Sequence, residues 1–246
     1  MLSWRINKKI SLPLIFVDLD KEGNSNTTER LDLLRDFDVV FGFGRINSLI
    51  ADREFVGQKW FITLNKNGIP YFIRVKQNTL LPWGDKPIQA SELFNHLNGY
   101  QTRLIEKEMY GSTVSFVGTR SLSGELVIVM SNQSLTASQI LVKYLKRWSI
   151  EELFRKLKTS GFHWENTRMT KSARLVTLLI VLAFGLLMAS LVGYDQPIPW
   201  KKTLGYPLYS VFKQGLITLQ FLLAQSLIVA SQTIQSALER LQNVNF

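Results

Sequence analysis

Tyr144, Arg147, Glu151 and Lys158 stand three, four and seven residues apart. The apolar pattern predicts one helix over residues 137–158. On that helix the four side chains fall within roughly 60° of one another, along about 20 Å. Leu141 and Trp148 border the stripe on one side, Ile150 and Phe154 on the other. Two readings follow. In the first, Arg147 and Glu151 are an i,i+4 pair on a solvated face, stabilising the helix by about 0.2–0.5 kcal/mol. In the second, the stripe is set into a partly apolar cleft, because a solvated face would be polar at its edges as well. In a cleft, the stripe could carry chemistry.

Composition limits what that chemistry can be. The chain has no cysteine and only two histidines, His96 and His163, far apart in sequence. Disulfides and thiolate metal sites are therefore excluded, and two histidines so far apart argue against a histidine-rich zinc centre. Any metal would be held by carboxylates and would be a hard ion such as Mg2+. Lys and Arg outnumber Asp and Glu by 29 to 19, a formal charge of +10. That excess favours a polyanion, nucleic acid first and an anionic membrane surface second. The first nine residues lack the apolar core of a signal peptide, which points to the cytoplasm. Residues 175–193 run nineteen positions without a charge, close to the length that spans a bilayer. A buried core helix and a membrane hairpin with residues 216–230 both account for that run.

The elements that would position these residues are α/β. Residues 10–19 are apolar and β-branched but interrupted by Pro13, as in a strand near a sheet edge. Asn26 and Glu29 have capping-box spacing ahead of a short helix with Leu31, Leu34 and Phe37 on one face. Residues 46–51 read as a buried strand ending at Asp52. Val56, Trp60 and Leu64 then recur at helical spacing, Gly68 is a plausible stop, and residues 69–75 return to strand character. Strand, helix and strand in so short a span predict a βαβ unit. Residues 101–109, 113–117 and 125–130 are short β-rich runs separated by Gly111 and Ser123-Gly124. Beyond Thr136 the chain reads as helical, with Pro197, Pro199 and Pro207 in a loop before the last helix.

With the elements laid out, the chain resembles a known family. Tyr-x2-Arg-x3-Glu-x6-Lys is the signature of a large group of bacterial insertion-sequence transposases of the DDE type. Tyr144, Arg147, Glu151 and Lys158 match every position. The family's segment around its second catalytic Asp resembles Ala51-Asp52-Arg53-Glu54-Phe55-Val56-Gly57-Gln58-Lys59-Trp60-Phe61. Pro13-Leu14-Ile15, Lys21-Glu22-Gly23-Asn24-Ser25 and Ile73-Arg74-Val75-Lys76 also look like family blocks. Residues 205–216 are similar to its closing segment, which ends in Phe-x-x-Gly-Leu.

The resemblance implies an RNase H-like fold with an all-β insertion and C-terminal helices. It divides the chain into a partial core over 1–76, the insertion over 77–134, and helices over 135–246. It implies cutting and joining of DNA with two Mg2+ or Mn2+ ions, Asp52 and Glu151 being catalytic metal ligands. Tyr144, Arg147 and Lys158 would contact DNA phosphates, and Trp148 would pack beneath them or, as the less favoured alternative, stack on an extruded base. The implied partners are the element's terminal repeats, target DNA, and a second transposase copy in a homodimer or mixed dimer. A cytoplasmic, nucleoid-associated protein is expected, with no membrane. The family's first catalytic Asp precedes the Pro-Leu-Ile segment, whereas only twelve residues precede Pro13 and none is acidic. Asp18 and Asp20 are the nearest acids and fall after it. The expectation is a truncated or frameshifted reading frame, missing early core strands and inactive alone. The alternative is a catalytically dead DNA-binding remnant that inhibits a full-length transposase.

Overall fold

Pairing begins at the N-terminus of the chain. In the computed structural model, β1 (Leu2–Arg5) and β2 (Ser11–Ile15) form a two-stranded antiparallel ribbon, with Pro13 opposite Ser3. Proline is tolerated there because a two-stranded ribbon consists only of edges. The structure describes residues 1–242 apart from Lys9, Asp18, Asp20, Glu22, Gly161, Thr170, Lys202 and Leu204. For Thr159, Ser160, Glu165 and residues 240–242 it describes the backbone. The sequence readings that rest on Asp18, Asp20 and Glu22 thus lie outside the described residues. Contacts divide the chain into one unit of Lys21–Trp148 and another of Met1–Asp20 with Ser149–Phe246.

The first unit opens with α1 (Thr27–Phe41), which starts where its capping box predicts. The Glu29 amide donates to Asn26 Oδ1 at 3.0 Å, and the Asn26 amide donates to the Glu29 carboxylate at 2.8 Å. Leu34 and Phe37 are buried as the pattern requires. The predicted βαβ unit follows: β3 (Leu49–Ala51), α2 (Gln58–Lys66) and β4 (Tyr71–Val75), the two strands parallel. Gly68, at φ +63°, ends the α2 turn. A small hairpin, β5 (Leu80–Leu81) and β6 (Ile88–Gln89), leads into α3 (Ala90–Phe94). Then come β7 (Thr102–Met109), β8 (Ser112–Arg120) and β9 (Leu126–Ser131).

These last strands continue the β3–β4 sheet, because β9 pairs antiparallel with β4. The resulting five-stranded mixed sheet has the order β3-β4-β9-β8-β7, which makes three-residue β3 an edge. Side chains alternate across its two faces. Tyr71, Ile73, Val75 and Phe116 bury one face against Leu34, Trp60, Phe61, Leu64 and Phe94. Phe72, Val117 and Val129 bury the other against Ile140 and Tyr144 of α4 (Ala137–Leu145).

The single helix expected over 137–158 is interrupted. It ends in a turn at Lys146 and Arg147, whose amides donate three residues back, to the Lys143 and Tyr144 carbonyls. A new helix, α5 (Trp148–Arg155), follows and opens into a wider π-type turn over Lys156–Ser160. The roughly 60° arc of a regular helix therefore does not carry through Arg147.

In the second unit, Leu153 and Leu157 join a core with Ile10, Leu12 and the long α6 (Ser172–Tyr194). By length and composition α6 could cross a bilayer, a test that core helices also pass, and 39% of its most apolar stretch is buried. The loop after it carries the short pair β10 (Trp200–Lys201) and β11 (Tyr206–Pro207). The apolar run over 216–230 belongs to two helices, α7 (Val211–Gln225) and α8 (Leu227–Gln242). Ser226, extended at φ −166°, separates them, and its hydroxyl accepts from the Ile228 amide at 3.2 Å.

The α6 and α7 backbones touch at Gly193 and Gly215. A Cβ on Gly215 would lie 1.7 Å from the Ala189 carbonyl oxygen, and one on Gly193 would lie 1.9 Å from that of Val211. Neither helix can yield locally, since the obstructing atoms are backbone. Gly215→Ala is expected to destabilise the chain by about 1–3 kcal/mol through forced separation of the helices. Denaturant unfolding measures this; an unchanged midpoint would show that the close approach is not required.

Candidate nucleic-acid and metal site

Asp52 leaves the end of β3, where open α/β sheets place ligand-binding groups. Its Oδ1 accepts from the Arg53 amide at 2.8 Å, and its main-chain carbonyl accepts from the Phe55 amide at 2.9 Å. The side chain remains 41% exposed. Two sequence blocks separated along the chain meet to hold this loop. Asn24 Nδ2 donates to the Glu54 carboxylate at 3.2 Å, and the largely buried Arg30 guanidinium lies over the Phe55 ring at 4.8 Å. Gly57 keeps the loop close to α1, since a Cβ there would approach Thr27 Oγ1 to 3.1 Å.

Arg147, in the turn after α4, brings Nη1 to 3.8 Å from Asp52 Oδ2. That is an ion-pair distance, too long for a direct hydrogen bond. The same guanidinium lies 5.9 Å from the centre of the Tyr144 ring. Burial pushes the Tyr144 phenol above its ordinary pKa; Arg147 opposes the shift, and Asp52 reinforces it. Sequence reasoning thus places Asp52, Tyr144 and Arg147 in a candidate site, and the structure gathers these three in one unit.

A second set of charges beside them was not singled out from sequence. Arg74 of β4 is hydrogen-bonded to Glu125, and Arg53 Nη1 is 3.9 Å from the same Glu125 carboxylate. The available signal was a lone cation in the otherwise apolar run Tyr71-Phe72-Ile73-Arg74-Val75. A buried central strand carries a charge only where something receives it.

Glu151 and Lys158 belong to the other unit. Glu151 is half-buried in the first turn of α5, and Lys158 is exposed in the π-type turn that follows. Between them Lys156 is buried, 5.9 Å from the centre of the Phe212 ring. Burial lowers its ammonium pKa; Glu152 opposes this and Arg155 adds to it. Trp148 is 59% exposed, so the expected packing beneath the stripe is not observed. The break at Arg147 removes the continuous helix face that this packing assumed. Among the described residues, no three or more His, Cys, Asp or Glu side chains cluster as a ready metal cage.

Residues 10–188, well over half of the chain, match the transposase DDE domain. The chain belongs to that family. Its mixed sheet flanked by helices is consistent with the RNase H-like fold of DDE transposases. The family's activity is DNA transposition, an enzymatic cutting and joining of DNA that generally uses divalent metal ions. No match was found among curated proteins.

Burial raises the phenols of Tyr71 and Tyr110 as well as that of Tyr144. Each ordinarily titrates near 10, so their contribution to stability is fully present below that pH. It is lost as pH rises through the folded-state values, because the unfolded chain then binds fewer protons. In the transposase DDE chain, Tyr144→Phe is expected to make the alkaline loss of stability shallower. Unfolding midpoints measured from neutral to alkaline pH would reveal this, and parallel curves for variant and parent would refute it.

Proposed function

We propose that this chain is a member of the insertion-sequence group marked by Tyr-x2-Arg-x3-Glu-x6-Lys, with Asp52 and Glu151 as its catalytic carboxylates. The observation that carries this reading is the position of Asp52 at the end of β3, beside Arg147 and Tyr144 of the signature. A structural salt bridge would account for Asp52 and Arg147 alone. It does not account for a half-exposed carboxylate held by its neighbour's amide and bordered by a phenol and further arginines.

The donor chemistry fits Mg2+ or Mn2+. Carboxylate oxygens are hard ligands, and Asp52 Oδ2 stands 3.8 Å from Arg147, leaving lone pairs for an ion. Asp52 and Glu151 would be the residues to hold divalent ions, which when bound would supply activation of the attacking water or 3′-hydroxyl and stabilisation of the leaving oxygen. The protein's own groups hold the DNA. Arg147 offers a planar pair of donors to phosphate oxygens, and Lys158 a compact charge. Tyr144 stays protonated at neutral pH, so its hydroxyl donates to a phosphate oxygen instead of repelling it. The chain's formal charge of +10 supports long-range attraction to DNA.

The family's motifs place two of three acids on this sequence. A polypeptide of these 246 residues is therefore expected to bind DNA without cutting it unaided. Its working place is the cytoplasm, on chromosomal or element DNA.

Titration of the purified chain with labelled element-end DNA tests these statements. Arg147→Ala and Lys158→Ala are each expected to weaken binding about tenfold and to lower the salt dependence by about one counterion. Asp52→Asn should leave binding nearly intact. Cleavage by the unmodified chain in Mg2+ would sink the inactivity, and binding that ignores salt would sink the DNA reading.

A further inference from the structure

The turn between β8 and β9 carries a carboxylate that the proposed chemistry does not use. Glu125 is 46% exposed there, and two guanidinium groups converge on one of its oxygens, Oε1. Arg74 is hydrogen-bonded to that oxygen, and Arg53 Nη1 stands 3.9 Å from it. The second distance is beyond hydrogen-bonding reach. Among the described residues, the Arg53 guanidinium therefore donates no hydrogen bond, and Glu125 Oε2 accepts none.

The backbone around this carboxylate is fixed, while its side chain is free to turn. The Glu125 amide donates to Ser121 Oγ at 3.1 Å, and its carbonyl accepts from the Ser121 amide at 2.9 Å. Arg120 ties the same turn down, donating to the Gly124 carbonyl at 2.9 Å and to the Leu97 carbonyl at 2.6 Å. On the other side, the Arg53 amide is held by Asp52 Oδ1 at 2.8 Å. Releasing the two arginines thus requires only rotation of the Glu125 side chain. The Asp52 carboxylate does not take its place, since Arg147 is its ion-pair partner.

A carboxylate that receives two guanidinium groups stands in for a phosphate, which presents the same acceptor atoms to the same donors. An ion pair as exposed as Arg53 with Glu125 is weak, because water screens it and both side chains lose freedom. A phosphate has more oxygens to offer and can accept from both arginines at once. The pair also lies beside the signature residues: burial raises the Tyr144 phenol, and Arg74 is among the charges that oppose the rise. We propose that Glu125 is a built-in phosphate surrogate, occupying Arg53 and Arg74 in the free chain until a DNA backbone phosphate displaces it. The inference rests on the DNA-binding reading above and adds an autoinhibitory contact to it.

The test measures binding of the full chain to a short labelled duplex at one fixed salt concentration. Glu125→Gln keeps the size of the side chain and an acceptor oxygen for Arg74 but removes the competing charge. It is expected to tighten binding about fivefold, the worth of an exposed ion pair. A merely structural Glu125 predicts the opposite sign, because its loss would loosen the support of Arg53 and Asp52. Arg53→Ala separates competition from bulk charge: in that background the gain from Glu125→Gln should shrink to about half or less. Glu125→Asp draws the charge one methylene back from Arg53 and should give a smaller gain, which serves if Glu125→Gln does not fold. Weaker or unchanged binding in every variant that folds, or the same gain with and without Arg53, would overturn the inference and leave the DNA reading standing. Failure of the parent chain to bind DNA would overturn both.

Discussion

Strand β4 sets the terms for the first unit. Five residues must bury both faces of a sheet, pair in parallel with β3 on one side and antiparallel with β9 on the other, and still carry a guanidinium. Tyr71, Ile73 and Val75 are committed to one apolar core, and Phe72 to the other. Arg74 points the same way as Phe72, toward the face that Tyr144 covers. A half-buried cation without a counter-charge would still be costly, and Glu125, just before β9, receives it. That carboxylate also lies near Arg53, the neighbour of Asp52. The sheet's need to satisfy one charge is thus tied to the loop that presents the candidate metal ligand.

Much of this was legible in the sequence because its causes are local. The capping box at Asn26 and Glu29, the helical recurrence of Trp60 and Leu64 and the stop at Gly68 lie within a few residues of what they control. The βαβ unit follows from such pieces in order. The break after α4 was not legible, since Lys146 and Arg147 favour helices and neither glycine nor proline marks the turn. The pairing of β9 with β4 was hidden for another reason: it joins strands more than fifty residues apart, and no local pattern names a partner. At Ser226 the signal was present but unused, because a serine ahead of an apolar run is an N-cap.

The candidate site divides along the same line. Asp52, Tyr144 and Arg147 could be named from residue type and spacing, and family membership supplies the reaction they would serve. The support around them depends on tertiary contact. Asn24 reaching Glu54, Arg30 over Phe55, and Glu125 between two arginines all join segments that sequence spacing does not connect. Lys156 makes the point from the other unit: a lysine in a charged run reads as solvated until Phe212 is seen beside it.

The contact between Gly193 and Gly215 has a mechanical meaning for the second unit. Backbones that touch cannot slide, since shifting α7 by one turn would drive a side chain into a carbonyl of α6. The pair acts as a register pin. Leu153 and Leu157 sit in the same apolar core as Ala189, Val192 and Phe212, next to that pin. The helix and turn that carry Glu151 and Lys158 therefore take their height from two glycines far downstream.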